Sequence, residues 1–305
     1  MSYQQHRCPN CGAPLPPPPP SGTVRCSFCA SPLAVHSGTW RATAPSPEEE
    51  ALLDPARPRL WVGSARYCVL GRIARGESSD VFFARRDSRL TELVVIKVLR
   101  APADPGVLAR EFAVLEQIPE SSAPGTPHFS RLLPQPVACG PARLGMNGQE
   151  GERPVLVLRW RSGFVHTLED VRAAYPGGVP PEHSIWLWKR MLEVLGWLHR
   201  AGWSHGAIVP PHLLVHARDH GVALVGWSRA TAPAQGAADV AMSARAVLYA
   251  LGDDPAVVPS ELAELLRRNA DPSSATDAWA LKDQVDAVAR TVFGPPKYIP
   301  FSLSR

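Results

Sequence analysis

Apolar positions recur at helical spacing in two segments of the chain. The segment 107–118 predicts an amphipathic helix, because its apolar residues return every three or four positions. These residues are Leu108, Phe112, Leu115 and Ile118. The segment 182–201 predicts a longer helix with a broad apolar stripe that faces a core. The stripe consists of Ile185, Trp186, Trp188, Met191, Leu192, Leu195 and Leu198. We expect the tryptophans of this stripe to be core residues.

Shorter patterns predict strands and turns. Residues 93–99 (LVVIKVL) are apolar on both faces apart from Lys97, which is the pattern of a buried strand. An unpaired ammonium group in such a place is costly, so Lys97 needs a partner or a route to solvent. Residues 67–84 read as strand, turn and strand, and residues 216–221 read as the turn between two further strands.

Composition and charge fit a soluble globular protein. The 305 residues are 45% hydrophobic and 20% charged, and the net charge of +4 is weak evidence for a polyanionic partner. No run of about 18 apolar residues is present, so we expect no membrane span. The N-terminus is polar and lacks an apolar signal core, so we expect no export and a cytoplasmic protein.

Two short cysteine motifs repeat near the N-terminus, CPNCGAPL at residues 8–15 and CSFCASPL at residues 26–33. Each C-x-x-C offers two thiolates, and the small residue after the second cysteine lets backbone amides approach the sulfurs. The pattern resembles a zinc ribbon and predicts one structural Zn²⁺ in a module over residues 1–36. The predicted zinc ligands are Cys8, Cys11, Cys26 and Cys29. All four ligands are cysteines, so no open position remains for catalysis.

The alternatives to zinc are two disulfides or a redox pair. The module has too few apolar residues to hold itself together without metal, which favours zinc. Residues 1–47 carry three arginines and no acidic residue, so nucleic-acid binding by the ribbon is a further alternative. The charge of about −2 on a zinc–tetracysteine centre offsets most of that positive charge, so we do not expect a nucleic-acid partner. Residues 37–59 lack a clean period and read as a linker.

The body of the chain resembles the protein kinase superfamily. Residues 203–214 (WSHGAIVPPHLL) follow a predicted helix and are similar to the catalytic loop H-R-D-x-x-x-x-N-L-L, with His205 in place. Segments similar to the glycine-rich loop, the lysine-bearing strand, the helix after it and the strand before the hinge precede this loop. They are residues 67–84, 93–99, 107–118 and 154–160.

The resemblance implies an α+β, bilobal protein kinase-like fold preceded by the small zinc ribbon. The N-lobe would cover residues 60–159, and the C-lobe would cover residues 160–305 with a short activation segment and a C-terminal tail. Asp239 is similar to the aspartate that opens a C-lobe helix in this family and hydrogen-bonds the catalytic-loop backbone. Tyr298, Ile299 and Phe301 lie in the tail, beyond the match, and are expected to dock on the body or on a partner.

The residues that carry phosphoryl transfer in the family are replaced in this chain. Ala207 stands where the catalytic aspartate belongs, His212 where the metal-binding asparagine belongs, and Gly226 where the aspartate of D-F-G belongs. Val209 replaces the catalytic-loop lysine. Only twelve residues separate Gly226 from Asp239, which is short for a segment that holds a substrate peptide. We therefore expect no catalytic residues and no enzyme activity.

The residues that bind nucleotide in the family are better matched in this chain than those that carry phosphoryl transfer. Lys97 and Glu111 match the ion pair of the family, and Gly76 is the middle glycine of the phosphate loop. Leu158 and Trp160 stand where backbone groups would meet adenine. These five residues form the candidate cofactor site, with ATP as the candidate ligand.

Three functions are weighed on this basis. The leading one is a pseudokinase scaffold or regulator that binds other proteins, with ATP held without turnover. The first alternative is a kinase-fold transferase that binds Mg²⁺ through displaced carboxylates such as Asp80 or Asp219. The second alternative is a nucleic-acid-associated adaptor acting through the ribbon, which would bind in a strongly salt-dependent way.

Overall fold

The computed structural model of the chain forms two compact units. The first comprises Met1–Ala113 with Gln135–Gly163, and the second comprises Val114–Pro134 with Phe164–Arg305. The structure describes residues 6, 15, 17–18, 23–25, 32–36, 39–42, 58–87, 92–100, 104–144, 150–252 and 258–303.

A small antiparallel sheet lies near the N-terminus of the first unit. Its strands, in the order β1-β2-β3, are β1 (Thr23–Arg25), β2 (Pro32–His36) and β3 (Thr39–Ala42). Leu33 is fully buried. Strand β3 lies within the segment predicted to be a linker, and it pairs with β2 through Val35 and Trp40. Four residues are too few to show a strand period, which is why the sequence pattern did not reveal this strand.

A closed six-stranded antiparallel barrel makes up most of the first unit, in the strand order β4-β5-β6-β7-β9-β8. Its strands are β4 (Arg59–Val62), β5 (Ala65–Arg75), β6 (Ser79–Arg86), β7 (Leu93–Leu99), β8 (Pro136–Leu144) and β9 (Glu150–Arg159). The strand–turn–strand pattern over residues 67–84 and the buried strand at 93–99 are confirmed. The barrel core includes Leu60, Tyr67, Ala84, Val94, Ile96, Val155 and Val157.

The predicted helix at residues 107–118 is present as α1 (Val107–Gln117). Leu108, Leu115 and Ile118 of its apolar set are buried. A short helix, α2 (Thr126–Phe129), follows within the second unit. In that unit the Trp197 indole N–H donates to the Thr126 hydroxyl at 3.2 Å.

The second unit is mainly helical. Its further helices are α3 (Leu168–Ala174), α4 (Pro181–Arg200), α5 (Gly236–Leu251), α6 (Ser260–Asn269) and α7 (Ala278–Phe293). Helix α4, predicted at 182–201, packs against α5 and α7. A small sheet, β10 (His166–Thr167), β11 (Leu213–His216) and β12 (Gly221–Leu224), completes the unit. The turn predicted at 216–221 joins β11 to β12.

The tryptophans of α4 differ in burial. Trp188 is fully buried, and its indole N–H donates to Ser243 on α5 at 3.1 Å. Trp186, also expected in the core, is only partly buried and stacks on His220. It lies two positions from Trp188, so the two side chains leave the helix about 200° apart and cannot face the same core. None of the helices in the described residues combines the length and apolar character needed to cross a membrane.

Candidate functional site

The expected Lys97–Glu111 pair is present in the first unit. Lys97 lies on β7, Glu111 lies on α1, and Nζ is 2.5 Å from Oε2. The Glu111 side chain is only 2% exposed and that of Lys97 is 16% exposed. A carboxylate so deeply buried depends on its cation, because removing one partner of a buried ion pair typically costs about 3–5 kcal/mol.

A cysteine lies beside this pair. Lys97 is in register with Leu156, and Leu156 is in register with Cys139, so the three residues form one row across β7, β9 and β8. Burial raises the pKa of the Cys139 thiol, and the charge of Glu111 raises it further. The thiol is therefore held in its protonated, weakly nucleophilic form.

The turn that resembles a phosphate loop is closed by its own hydrogen bonds. The Gly76 amide donates to the Ser79 carbonyl at 2.8 Å, and the Arg100 amide donates to the Ser78 carbonyl at 2.9 Å. The Arg100 guanidinium donates to the Gly76 carbonyl at 2.8 Å. Because the Gly76 N–H is already used, it is not a free donor for a phosphate in this conformation.

The backbone at the candidate adenine position is also occupied. The Trp160 amide donates to the Leu93 carbonyl at 3.1 Å, and the Arg159 amide donates to the Gln135 carbonyl at 2.9 Å. Leu158 is paired in the barrel with Val95 and Pro136. Of the five candidate cofactor residues, Lys97 and Glu111 are brought together, and the amides of Gly76 and Trp160 have intrachain partners.

In the second unit a buried aspartate holds the loop that resembles a catalytic loop. Asp239, in the first turn of α5, is fully buried. Its carboxylate accepts from the amides of His205 at 2.7 Å and Gly206 at 2.8 Å. His199 Nε2 lies 3.1 Å from the same carboxylate. The hydrogen bonds to the loop backbone expected of Asp239 are thus present.

Burial alone would raise the pKa of Asp239. The hydrogen bonds with His199, Gly206 and His205 outweigh burial and hold the pKa of Asp239 below its ordinary value. Asp239 is therefore a buried carboxylate kept charged by local donors, as expected where several hydrogen bonds satisfy one anion. Its role in this geometry is to position the loop.

Gly206 stands where the family motif has arginine, and its backbone explains why. Its φ is +72°, in the left-handed region. A Cβ at this position would lie 2.5 Å from the Arg229 carbonyl oxygen. Any side chain would therefore strain the loop or push it away from the 227–229 turn.

Ala207, His212 and Gly226 lie together in one place. His212 Nδ1 lies 3.0 Å from the carbonyl oxygen of Ala207. A Cβ on Gly226 would lie 2.7 Å from Cε1 and Nε2 of His212, and φ at Gly226 is +80°. The imidazole ring thus fills the space that a side chain on residue 226 would need. Ala207 is buried and offers no titratable group.

Two bulky aromatic side chains pack together at this loop. His205 and Trp227 are both fully buried, and their rings meet edge to face with centroids 4.4 Å apart. The Trp227 indole N–H donates to the Leu224 carbonyl at 2.9 Å. This contact and the Asp239 hydrogen bonds both hold the loop at His205.

The two carboxylates considered for displaced Mg²⁺ binding already face cations. Asp219 makes two hydrogen bonds with the Arg218 guanidinium, at 2.8 Å and 3.0 Å. Asp80 lies 3.9 Å from Arg72 and 4.0 Å from Arg75, and its Oδ1 has no hydrogen-bond partner among the described residues. The two aspartates belong to different compact units.

The predicted zinc ligands Cys8, Cys11, Cys26 and Cys29 lie outside the described residues. Within the described residues no group of three or more histidine, cysteine or acidic side chains is arranged to hold a metal ion. Described residues lie on both sides of each cysteine pair. The Leu15 amide donates to the His6 carbonyl at 2.8 Å across the first pair, and strands β1 and β2 are paired across the second.

Two features of the second unit were not expected from the sequence. His199 ends the apolar helix α4, where a polar residue normally faces solvent, so nothing in the pattern marked it as a partner of Asp239. The contact between His212 and Gly226 depends on backbone geometry that no motif encodes. Comparison with protein-family models and with curated protein sequences finds no match to this chain.

Proposed function

We propose that the chain is a catalytically inactive, protein kinase-like scaffold with a structural zinc ribbon, and that it acts by binding other proteins. The observation that carries this proposal is the arrangement around residues 205–212. A buried aspartate positions the loop backbone, while the positions that would carry the base and the metal ligands hold Ala207, His212 and Gly226. A loop held in place without its reactive groups suits binding rather than phosphoryl transfer.

The Lys97–Glu111 pair has a structural role in this proposal. Its charges satisfy each other at 2.5 Å inside the first unit. The amides of Gly76 and Trp160 are used within the chain. ATP is therefore a candidate ligand that the scaffold role does not require. No contact of Asp80 or Asp219 favours the Mg²⁺-dependent transferase, because arginines already face both carboxylates.

An assay of ATP turnover tests the loss of catalysis. The full chain is incubated with ATP and Mg²⁺, and ADP release and phosphate incorporation are measured beside those of Lys97→Ala. We expect the wild-type rate to equal that of the variant, because neither protein has a base or metal ligands at residues 207, 212 and 226. Turnover by the wild type that Lys97→Ala abolishes would overturn the proposal.

The ribbon is proposed on the repeated cysteine motifs and on the backbone that is paired across each cysteine pair. Four thiolates bind zinc only when reduced, which favours a cytoplasmic location. Elemental analysis of protein purified without chelator should give one zinc per chain. Cys8→Ser with Cys26→Ser should lose the metal, and Cys68→Ser, which changes a buried barrel cysteine, should keep it. Wild-type protein free of zinc would contradict the ribbon.

A further inference from the structure

The C-terminal strap, defined as residues 295–303, is held on the second unit by stacked aromatic rings. Phe301 is 4% exposed, and its ring lies 5.5 Å from Tyr175, nearly parallel, and 4.8 Å from His183. The Tyr175 hydroxyl donates to the Ser302 carbonyl at 2.8 Å. The expectation that the tail docks on the body is confirmed for Phe301.

A second anchor lies nearer the start of the strap. The Tyr298 ring stacks on His220 at 4.7 Å, and His220 stacks on Trp186 at 4.5 Å with the planes 5° apart. The Tyr298 hydroxyl donates to the Arg218 carbonyl at 2.7 Å. The imidazole of His220 is thus enclosed between a strap residue and a residue of α4.

The geometry at both histidines fits the neutral imidazole. His220 Nε2 is buried and has no hydrogen-bond partner among the described residues, so a proton added there would find no acceptor. His183 Nδ1 accepts the Trp186 indole N–H at 3.3 Å, so protonation of Nδ1 would set two N–H groups against each other. The two rings lie 6.3 Å apart, close enough for two imidazolium charges to repel.

We infer that the strap is an acid-released latch, in which protonation of His183 and His220 undocks residues 295–303 and uncovers the aromatic groove of Tyr175 and Trp186. Nothing in this inference depends on the proposed scaffold function. Burial disfavours the charged form of both rings, and protonation of His183 would also break its hydrogen bond with Trp186. Both effects make the docked strap less stable when the histidines are protonated.

The surrounding charges do not reverse the preference of both histidines for the neutral form in the docked strap. The charged or titratable groups around the two rings include Glu182, Lys189 and Arg190 on α4, Arg218 and Asp219 in the β11–β12 turn, Asp286 and Arg290 on α7, Tyr175 beside Phe301, and Lys297 and Tyr298 in the strap. Lys189 is paired with Asp286. Burial lowers the pKa of His183 despite Glu182. Burial, His183 and Arg190 lower the pKa of His220 despite Asp219 and a backbone hydrogen bond to Ile299.

The pH window follows from these directions. Both pKa values are lowered from 6.5 in the docked form, mainly by burial. Release of the strap would expose both rings to water, so we expect the released form to bind more protons than the docked form. Docking is then at full strength above about pH 6.5 and weakens as the pH falls below it. Each histidine should weaken docking by about tenfold per pH unit until its docked pKa is reached.

Fluorine NMR of the full chain labelled with 3-fluorotyrosine tests the latch. The chain has five tyrosines, and Tyr298→Phe identifies the strap resonance. Phe301→Ala supplies the released reference at every pH. In the wild type we expect the Tyr298 resonance to lie at the docked position at pH 7.5 and to move toward the released position at pH 5.5. The resonance of Tyr67, buried in the first unit, should not move.

The matched variant is His183→Gln with His220→Phe, which keeps an acceptor for Trp186 and a ring between Trp186 and Tyr298. Its strap should stay docked at both pH values. A wild-type resonance that does not change between pH 7.5 and 5.5 would overturn the latch, as would a double variant that releases its strap as the wild type does. If the double variant fails to fold, the pKa values of His183 and His220 are measured by titration in the wild type and in Phe301→Ala, and their comparison tests the latch. Identical pKa values for His183 and His220 in the two proteins would reject the latch.

Discussion

At the scale of single residues, the side chains that fit at positions 212 and 226 depend on each other. The His212 ring occupies the volume next to the Gly226 Cα, and Gly226 adopts a left-handed backbone. An aspartate could be accommodated at residue 226 only if the ring were smaller and the backbone strain were accepted. The packing of the loop therefore excludes a carboxylate from residue 226 while His212 is present.

A double-mutant cycle measures this dependence. Gly226→Asp should destabilise the second unit by about 2–4 kcal/mol, from backbone strain at positive φ and from overpacking against the ring. His212→Asn should recover at least about 1 kcal/mol of that loss when added to Gly226→Asp. The free energies of unfolding of the four proteins are measured by denaturant titration.

The control for this cycle is Gly177→Asp. Gly177 is exposed, its φ is not positive, and a Cβ there would have no neighbour within 4 Å. Gly177→Asp adds the same charge to the second unit, and it should change the free energy of unfolding by no more than about 0.5 kcal/mol. Strict additivity of Gly226→Asp and His212→Asn would show that the ring does not exclude the aspartate.

At the scale of elements, helix α5 positions the loop through one carboxylate. Asp239 accepts two loop amides and faces His199 at the end of α4, so three chain segments meet at a single buried charge. Removing that charge leaves two buried N–H groups with a weaker partner. Hydrogen bonds to charged groups contribute about 1.5–3 kcal/mol each, so this junction is a large part of the unit's stability.

The pH dependence of Asp239→Asn follows from the lowered pKa of Asp239. A carboxyl group with a lowered folded pKa stabilises the protein above its ordinary value of 3.8, and this stabilisation is lost as the pH falls through the folded pKa. We expect Asp239→Asn to cost about 2–3 kcal/mol at pH 7, with the difference from wild type shrinking below about pH 4.

Thermal midpoints of wild type and Asp239→Asn between pH 3 and pH 7 check this expectation. The control is Glu264→Gln, which changes an exposed acid on α6 and should leave the midpoint nearly unchanged. A penalty for Asp239→Asn that is the same at pH 3 and pH 7 would mean that the ionised carboxylate does not carry the stabilisation.

The sequence predicted elements where periodicity is strong. The apolar stripes of α1 and α4 and the buried run of β7 were readable because each repeats over several residues. Strand β8 was not readable, because Pro136, Gly140 and Pro141 interrupt its pattern. Proline 136 opens the strand and Pro141 is paired with Pro154 of β9, so the sheet tolerates residues that propensity disfavours.

Only part of the candidate site was predictable from the sequence. Lys97 needed a partner because its strand is buried, but the same helix offers both Glu111 and Glu116, and Glu111 was preferred through the resemblance to kinases. Asp239 was reached only through the resemblance to kinases. The fit of His212 against Gly226 arises from tertiary contact and from a positive φ, neither of which leaves a periodic signal in the chain.

At the scale of the whole molecule, each compact unit contains an arrangement that the kinase resemblance led us to expect, the Lys97–Glu111 pair in one and Asp239 with its loop in the other. Under the proposed function, His212 and Gly226 stand where Mg²⁺ ligands would be needed. A pseudokinase of this kind should gain no stability from Mg²⁺ when it meets a nucleotide.

The most direct test is the thermal midpoint of the full chain in ATP, with and without Mg²⁺ and without chelator, so that bound zinc is retained. A ligand that binds the native state raises the midpoint, and the stabilisation grows with the logarithm of the ligand concentration relative to Kd. Lys97→Ala serves as the matched variant. We predict the same midpoint in ATP with and without Mg²⁺. A rise that requires Mg²⁺ and disappears in Lys97→Ala would contradict the account and restore a metal-dependent enzyme.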